Sequence, residues 1–288
     1  MDKPLLYIIA GPTASGKTAE AIRLAHEING EIVSADSMQI YQDMDIGTAK
    51  PTAEEMQGIP HHMLGVVHPT QPYTVSDYSH QATVAIQDIL RRGKTPILCG
   101  GTGFYINAII RGTFLDTDES IYQQEQILRE EFTLLAAQKG ADHIHALLAE
   151  KDPQYAATLH PNNVKKVVRA LSYCHATGKL FSAHNQAQKE AQSSYDTRIS
   201  LLSLPREELY ARINARVHIM WEHGLPQEVQ SLLEQGVNPA CTAMQGIGYK
   251  EVIPYLQSRA TKDETIAKIQ QATRNYAKRQ ETWFRHQL

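Results

Sequence analysis

Hydrophobic positions along the chain follow two rhythms. Leu5 to Ala10 is an unbroken apolar run that stops at Gly11-Pro12, the pattern of a short strand buried on both faces. Lys17 to Ile28 then repeats Ala21, Leu24, Ala25 and Ile28 along one side of a helix, which Asn29-Gly30 closes. Glu31 to Ala35 predicts a second strand. Val75 to Leu90 predicts a helix with Tyr78, Ala82, Ala85, Ile86 and Ile89 inward, and Pro96 to Cys99 a third strand before Gly100-Gly101. Strands alternating with helices predict an α/β fold, a parallel sheet with helices on both faces.

After about Gly112 the rhythm changes. From Asp118 to about Gln192 only helical spacings appear. Ile199 to Leu204 reads as one more buried strand, which returns the chain to the sheet. Helices follow over Glu207 to His223, Gln227 to Glu234 and Ile266 to about Arg285. The expected organisation is a core of residues 1–115, an all-helical insertion of residues 116–195, and a second core part, residues 196–288, ending in a basic helix.

Composition adds limits. The 288 residues are 42% hydrophobic and 20% charged, values of an ordinary folded protein that needs no disulfide or metal staple. No apolar run is long enough for a membrane span or a signal peptide. Cys99, Cys174 and Cys241 are scattered with no CxxC pair, which disfavours a disulfide scaffold or zinc finger and fits a cytoplasmic protein. The net charge of −3 conceals an uneven distribution. His160 to Phe181 carries Lys165, Lys166, Arg169 and Lys179 with no acid. Thr265 to Leu288 carries five bases against Glu281, with Arg274, Lys278 and Arg285 along one stripe. Asp116 to Asp152 is strongly acidic. Local basic stripes of this kind attract a phosphate backbone.

Gly11-Pro12-Thr13-Ala14-Ser15-Gly16-Lys17-Thr18 fits GxxxxGK[ST], between an expected strand and an expected helix. Such a loop turns several backbone N–H groups and a helix dipole toward one anion. Lys17 neutralises phosphate charge, and the Thr18 hydroxyl is placed to ligate Mg²⁺. The motif specifies a di- or triphosphate, not which one. The expected core is thus P-loop NTPase-like. A second acid, common beside the metal in ATPases, is missing: the third strand ends in Gly100 and the fourth in Pro205. Only the second strand ends in a carboxylate, Asp36, at the sheet edge where ligands bind. It suits a general base; the competing reading makes Asp36 or Ser37 a helix cap. These features alone leave open a small-molecule kinase with a helical lid.

Seven stretches together carry a resemblance: GPTASGKT (11–18), SADSMQIYQDMDIGTAKP (34–51), GIPHHML (58–64), GGTGFY (100–105), HPNNVKKVVRAL (160–171), MQGIGYKE (244–251) and ATRNYAKRQETWFR (272–285). With them the chain resembles the bacterial tRNA dimethylallyltransferases, or isopentenyl-tRNA transferases, over nearly its whole length. The resemblance implies transfer of a dimethylallyl group from its diphosphate to N6 of adenosine 37 of tRNA. The loop would then hold the isoprenoid diphosphate, although the motif alone suggests ATP.

The resemblance also implies roles. Asp36 is the general base, Thr18 carries Mg²⁺, and Arg216 binds the diphosphate beside Lys17. Ser37, Met38, Gln39 and Thr102 meet the tRNA near the target base, which is expected to flip out of its stack. Lys165, Lys166 and Arg169, on a helix from Val164 to about Ala176 capped by Asn162 or Asn163, meet the anticodon stem-loop. Lys165-Lys166 stands where many family members have Gln-Arg, so the charge survives but a planar contact does not. Without the resemblance, Arg212 and Arg216 read as an ordinary solvated helix face. His61 and His62 lack metal-ligand spacing and read as structural or pocket-lining. Trp283 and Phe284 read as core residues, with stacking on bases the competing reading. A monomer with no membrane and no obligate protein partner is expected.

Overall fold

The structure is a computed structural model that describes residues 3–112, 119–190 and 193–288. The chain divides into two compact units, residues 1–112 with 193–288, and residues 113–192. The ends of the expected insertion, residues 116–118 and 191–192, lie outside the described residues.

In the first unit, strand β1 (Leu5–Ala10) leads to helix α1 (Lys17–Ile28), β2 (Gly30–Ser34), β3 (His61–His62), α2 (Val75–Arg91), β4 (Thr95–Gly100) and α3 (Gly103–Arg111). The strands form a five-stranded parallel sheet in the order β3-β2-β4-β1-β5, where β5 is Asp196–Leu201. The expected parallel sheet is therefore present, with β1 inside it. Side chains alternate across the pleat. Leu6, Ile8, Ala10, Val33 and Leu98 enter one core with Tyr78, Ala82, Ile86 and Ile106. Ile9, Ile32, Ile97 and Cys99 meet Ala21, Ile22 and Ala25 of α1 on the other face.

Two strands differ from expectation. β3 is only two residues long, too short to carry a period, and pairs Ile32↔His61 and Val33↔His62 at the sheet edge. The apolar run expected as a buried strand over Ile199 to Leu204 is instead split. The ladder Leu5↔Asp196 to Ala10↔Leu201 takes in the polar residues before it. Leu202 and Leu204 fall beyond the strand, and Leu204 packs near Ala14, Leu209 and Ile213 under the phosphate loop. β5 is an edge strand whose Ile199 and Leu201 stay exposed.

The second unit contains α4 (Glu119–Lys139), α5 (Ala141–Lys151), α6 (Pro153–Ala156), α7 (Val164–Thr177) and α8 (Phe181–Glu190). Ile144, Leu148, Val167, Val168, Leu171 and Phe181 form its own core. Buried Asp152 accepts from Tyr155 N at 3.0 Å and Ser182 N at 2.6 Å, which ties α6 to α8. Helix α7 ends at Gly178 in the left-handed region. Asn163 occupies its N-cap position, but its side chain makes no cap hydrogen bond, contrary to expectation.

After β5 the first unit adds α9 (Arg206–Glu222), α10 (Leu225–Glu234), α11 (Tyr249–Leu256) and the long α12 (Lys262–Gln287). Thr261 and Glu264 form a capping box at the start of α12. Among the described residues no helix is long and apolar enough to cross a membrane.

One buried charge fastens the edge of the sheet. Glu31, 1% exposed, lies 2.5 and 2.7 Å from the Arg92 guanidinium, 2.8 Å from Lys94 and 2.8 Å from His62. The Arg92 contact chiefly holds the carboxyl well below the ordinary glutamate range. A depressed pKa stabilises the fold above the unfolded-chain value, about 4.3, and that stabilisation fades as pH falls below it. Glu31→Gln is expected to cost about 1–3 kcal/mol at pH 7 by urea denaturation, since charged hydrogen bonds to half-exposed cations are lost. The gap from the parent should narrow at pH 3; an equal gap at both pH values would remove the charge from the account.

Candidate active site

The phosphate loop joins β1 to α1, with Gly16 in the left-handed region at the helix start. It opens on a cleft of about 1230 Å³ whose lining includes Lys17, Thr18, Asp36, Gln39, Arg216 and Gln280. Lys17 Nζ donates to Pro12 O at 2.6 Å. Burial pushes its ammonium below the ordinary lysine value, opposed by nearby Cys99 and Asp36 and reinforced by Arg216. Burial likewise lowers the Arg216 guanidinium, with Glu55 pulling weakly the other way. Among the described residues Arg216 pairs with no acid. Arg212, one turn earlier on α9, does pair, with Glu208 at 2.7 Å. Both arginines line the cleft, but Arg212 carries a half-exposed pair along its own helix while Arg216 carries none. The buried Ser15 hydroxyl in the loop also has no partner. Neither cation makes a salt bridge with a described acid, although Asp36 and Glu55 line the same cleft, and two such cations with a turn of N–H groups suit an anion.

Asp36 lies just beyond β2. Its Oδ1 accepts from Met38 N at 2.9 Å and Gln39 N at 3.4 Å, while Oδ2 receives no hydrogen bond from the described residues. One oxygen holds the turn and the other is available, so the cap and the base are compatible readings. Ser37 N donates to Thr102 Oγ1 at 3.0 Å, and Thr102 Oγ1 lies 3.3 Å from Ser37 Oγ. The structure therefore brings Ser37 and Thr102 together beside Asp36. Met38 is partly buried against the core. The Gln39 amide turns inward, donating to Thr48 O and Ala49 O at 3.3 and 3.1 Å, with its Oε1 at 3.3 Å from Ser34 Oγ. The loop after Asp36 is held from α10: Glu228 accepts from Asp45 N, Ile46 N and Gly47 N at 2.7–3.0 Å and from the Tyr249 hydroxyl at 2.6 Å.

Helix α12 supplies Gln280, which periodicity does not single out, and Tyr276, which periodicity places on a packing face with Ile266, Ile269 and Trp283. Gln280, 6% exposed, accepts from Thr13 N at 2.9 Å and donates to Gly101 O at 2.8 Å. It bridges the phosphate loop and the turn that carries Thr102. Tyr276, one turn earlier, is partly buried, and burial with the nearby Asp36 charge pushes its pKa up to about 12. Close approach explains the glycines of this turn. A Cβ on Gly101 would overlap the Gln280 amide, and one on Gly103 would overlap the Trp283 ring. Gln280 and Tyr276 both lie in the quoted ATRNYAKRQETWFR stretch, the one signal available for Gln280.

Other expected residues are placed as follows. Lys165, Lys166 and Arg169 are exposed on α7 in the second unit, and Arg169 lies over the Phe181 ring at 5.7 Å. Arg274 is not a free member of a basic stripe: it donates to Asn214 Oδ1 at 2.7 Å and lies over Tyr210, while Lys278 and Arg285 are exposed. Phe284 is buried, as expected, and Trp283 is partly so. His61 lines the cleft, and His62 belongs to the Glu31 cluster. Among the described residues no His, Cys, Asp or Glu group has the arrangement of a metal site.

A parallel sheet with a phosphate loop at its carboxyl edge, two unneutralised cations and a free carboxylate oxygen defines a P-loop protein with an anion-binding cleft. The chain belongs to the IPP transferase family, whose sequence profile matches residues 39–287. That match begins just after the phosphate loop and Asp36, which the longer pairwise likenesses do include. A tRNA dimethylallyltransferase of Staphylococcus haemolyticus is 44% identical over 291 residues, spanning all of this chain and 86% of its own. One from Geobacillus thermodenitrificans is 45% identical over 98% of this chain and 88% of its own. A crystal structure of a tRNA delta(2)-isopentenylpyrophosphate transferase from Staphylococcus epidermidis, 43% identical, superposes with a TM-score of 0.70 over 99% of this chain and 91% of that one. A eukaryotic dimethylallyltransferase caught acting on tRNA is 33% identical, with a TM-score of 0.85 over 98% of this chain and 70% of that one.

The cleft's charge makes a direct prediction. Lys17→Met should weaken inorganic diphosphate binding, measured by calorimetry, by at least about tenfold, the loss of one charged hydrogen bond. Gln280→Leu should weaken it less and should also lower stability by about 1–3 kcal/mol, because the buried Gly101 carbonyl is left without its partner and the Thr13 N–H loses its acceptor. Unchanged affinity in both variants would move the anion elsewhere.

Proposed function

We propose that this chain transfers a dimethylallyl group from dimethylallyl diphosphate to N6 of adenosine 37 of tRNA. The observation that carries the reading is the pairing, in one cleft, of unneutralised Lys17 and Arg216 with the free Oδ2 of Asp36. Membership of the family and the tRNA-acting relatives support it.

The chemistry follows from the parts. The bond from the allylic carbon to the diphosphate oxygen breaks as the bond from that carbon to N6 forms. Charge then builds on the departing diphosphate, and the loop N–H groups, Lys17 and Arg216 stabilise it there, as donors do at any developing anion. The same cleft is lined on its apolar side by Ile46, Leu64, Ile219 and Met220, suited to a five-carbon chain. The N6 lone pair is delocalised into the ring, so the nucleophile needs its proton removed as it attacks. Asp36 Oδ2 accepts that proton.

Thr18 lines the cleft and offers a hard hydroxyl oxygen, which fits a Mg²⁺ whose other ligands are diphosphate oxygens and water. The ion would add positive charge at the leaving group. The acceptor adenosine flips out of the anticodon loop to reach Asp36, with Ser37 and Thr102 beside it. The exposed bases Lys165, Lys166 and Arg169 contact the anticodon stem-loop, and the enzyme works in the cytoplasm.

The test is to incubate the protein with unmodified tRNA, Mg²⁺ and dimethylallyl diphosphate, and to digest the tRNA for mass spectrometry. A prenylated adenosine at position 37 is expected without ATP. ATP turnover onto a small acceptor, with tRNA unaltered, would replace the reading with a kinase. Asp36→Ala should retain tRNA binding and lose about 10²–10⁴-fold in turnover, the usual contribution of a general base. Normal turnover in that variant would remove Asp36 from the chemistry.

A further inference from the structure

Phe104 is the most exposed large hydrophobic side chain of the described residues, at 72%, although its neighbours Tyr105, Ile106, Ala108 and Ile109 on α3 are all buried. It stands two residues after Thr102, on the turn that borders Asp36. Its ring lies 6.4 Å from that of Trp283, tilted by 53°. Trp283 is itself fixed, with one face against Gly103 and its ring edge-on to Phe284 at 5.3 Å. Tyr276, Arg279 and Trp283 follow at i, i+3 and i+7 on α12, and the Arg279 guanidinium lies over the Tyr276 ring at 5.6 Å. Lys278, Arg279, Trp283 and His286 line a shallow depression beside these rings. Glu281 is the only acid on α12 from Thr265 onward.

An exposed ring costs solvation and stabilises nothing in the fold. Beside a fixed indole and unneutralised cations it matches the surface that unpaired nucleobases use: aromatic faces for stacking and bases for the adjoining phosphates. We propose that Phe104 and Trp283 form a stacking platform for an unpaired tRNA base next to the modified adenosine, with Lys278 and Arg279 on the flanking phosphates. The inference rests on the proposed tRNA substrate and adds a surface outside the cleft. It accounts for the run Tyr276-Arg279-Trp283, which leads outward from Thr102.

The experiment uses an anticodon stem-loop RNA with 2-aminopurine in place of a base flanking adenosine 37. The intact protein should quench the probe on binding. Phe104→Ala should weaken binding roughly 5- to 150-fold, the range for loss of one stacked base, and abolish the quench. Phe104→Trp should restore both. Because the ring is exposed, thermal stability and diphosphate affinity should not move in either variant. An alanine variant that binds and quenches like the parent, while the parent prenylates tRNA, overturns the platform alone. A parent that neither binds the RNA nor prenylates it overturns the function on which the platform rests.

Discussion

One buried amide organises the reaction centre. Gln280 spends its oxygen on Thr13 and its nitrogen on Gly101, so the anion cradle and the turn beside the carboxylate share a single brace. Both ends of that brace lie at the carboxyl edge of the sheet. β1 delivers the first, β4 the second, and the two strands are direct neighbours, paired Tyr7↔Ile97 to Ala10↔Gly100. The strand order therefore sets the spacing between the phosphate loop and the turn that carries Thr102, and α12 braces it. The Gln280 side chain is buried, so its bond to Gly101 O is shielded from water, while the Thr13 end borders the cleft.

The electrostatics of the cleft run against stability. Lys17 and Arg216 are desolvated, and each raises the cost of charging the other. Asp36 and Glu55 act on them only through space, with no salt bridge to either, so part of the cost of burying the two cations stays uncompensated, the usual exchange of stability for binding at a functional site. At the sheet edge, by contrast, buried Glu31 is met by three bases, Arg92, Lys94 and His62. The contrast within one sheet marks the cleft as the functional region independently of any motif.

The sequence was readable where local rules dominate. β1, the phosphate loop and α1 form one contiguous strand–turn–helix, and the position of Asp36 followed from the end of β2. Long-range packing was not readable. A two-residue β3 carries no periodicity, and the split of the Ile199 to Leu204 run depends on a ladder with β1, nearly two hundred residues earlier. Gln39 looked like a recognition residue beside the base, yet its amide is saturated by Ser34, Thr48 and Ala49. Tyr276 is legible as a packing-face residue by its spacing from Ile269 and Trp283, but Gln280 is legible only as a member of a helix, because which face of α12 meets the phosphate loop is decided by tertiary contact. Glu228 was invisible for the same reason: its partners are backbone N–H groups some 180 residues away.

The separation of 267 residues between Thr13 and Gln280 has a consequence for synthesis. The anion cradle is among the first segments to leave the ribosome and its brace among the last. β1 waits for β4 and then for β5 before it has neighbours on both sides. A nascent chain thus carries the motif for most of its translation without the means to hold it in shape. Contacts of such length slow folding, because the closure entropy precedes the reward. A product truncated before α12 lacks Gln280, and with it the one side chain that joins the phosphate loop to the Gly101 turn among the described residues.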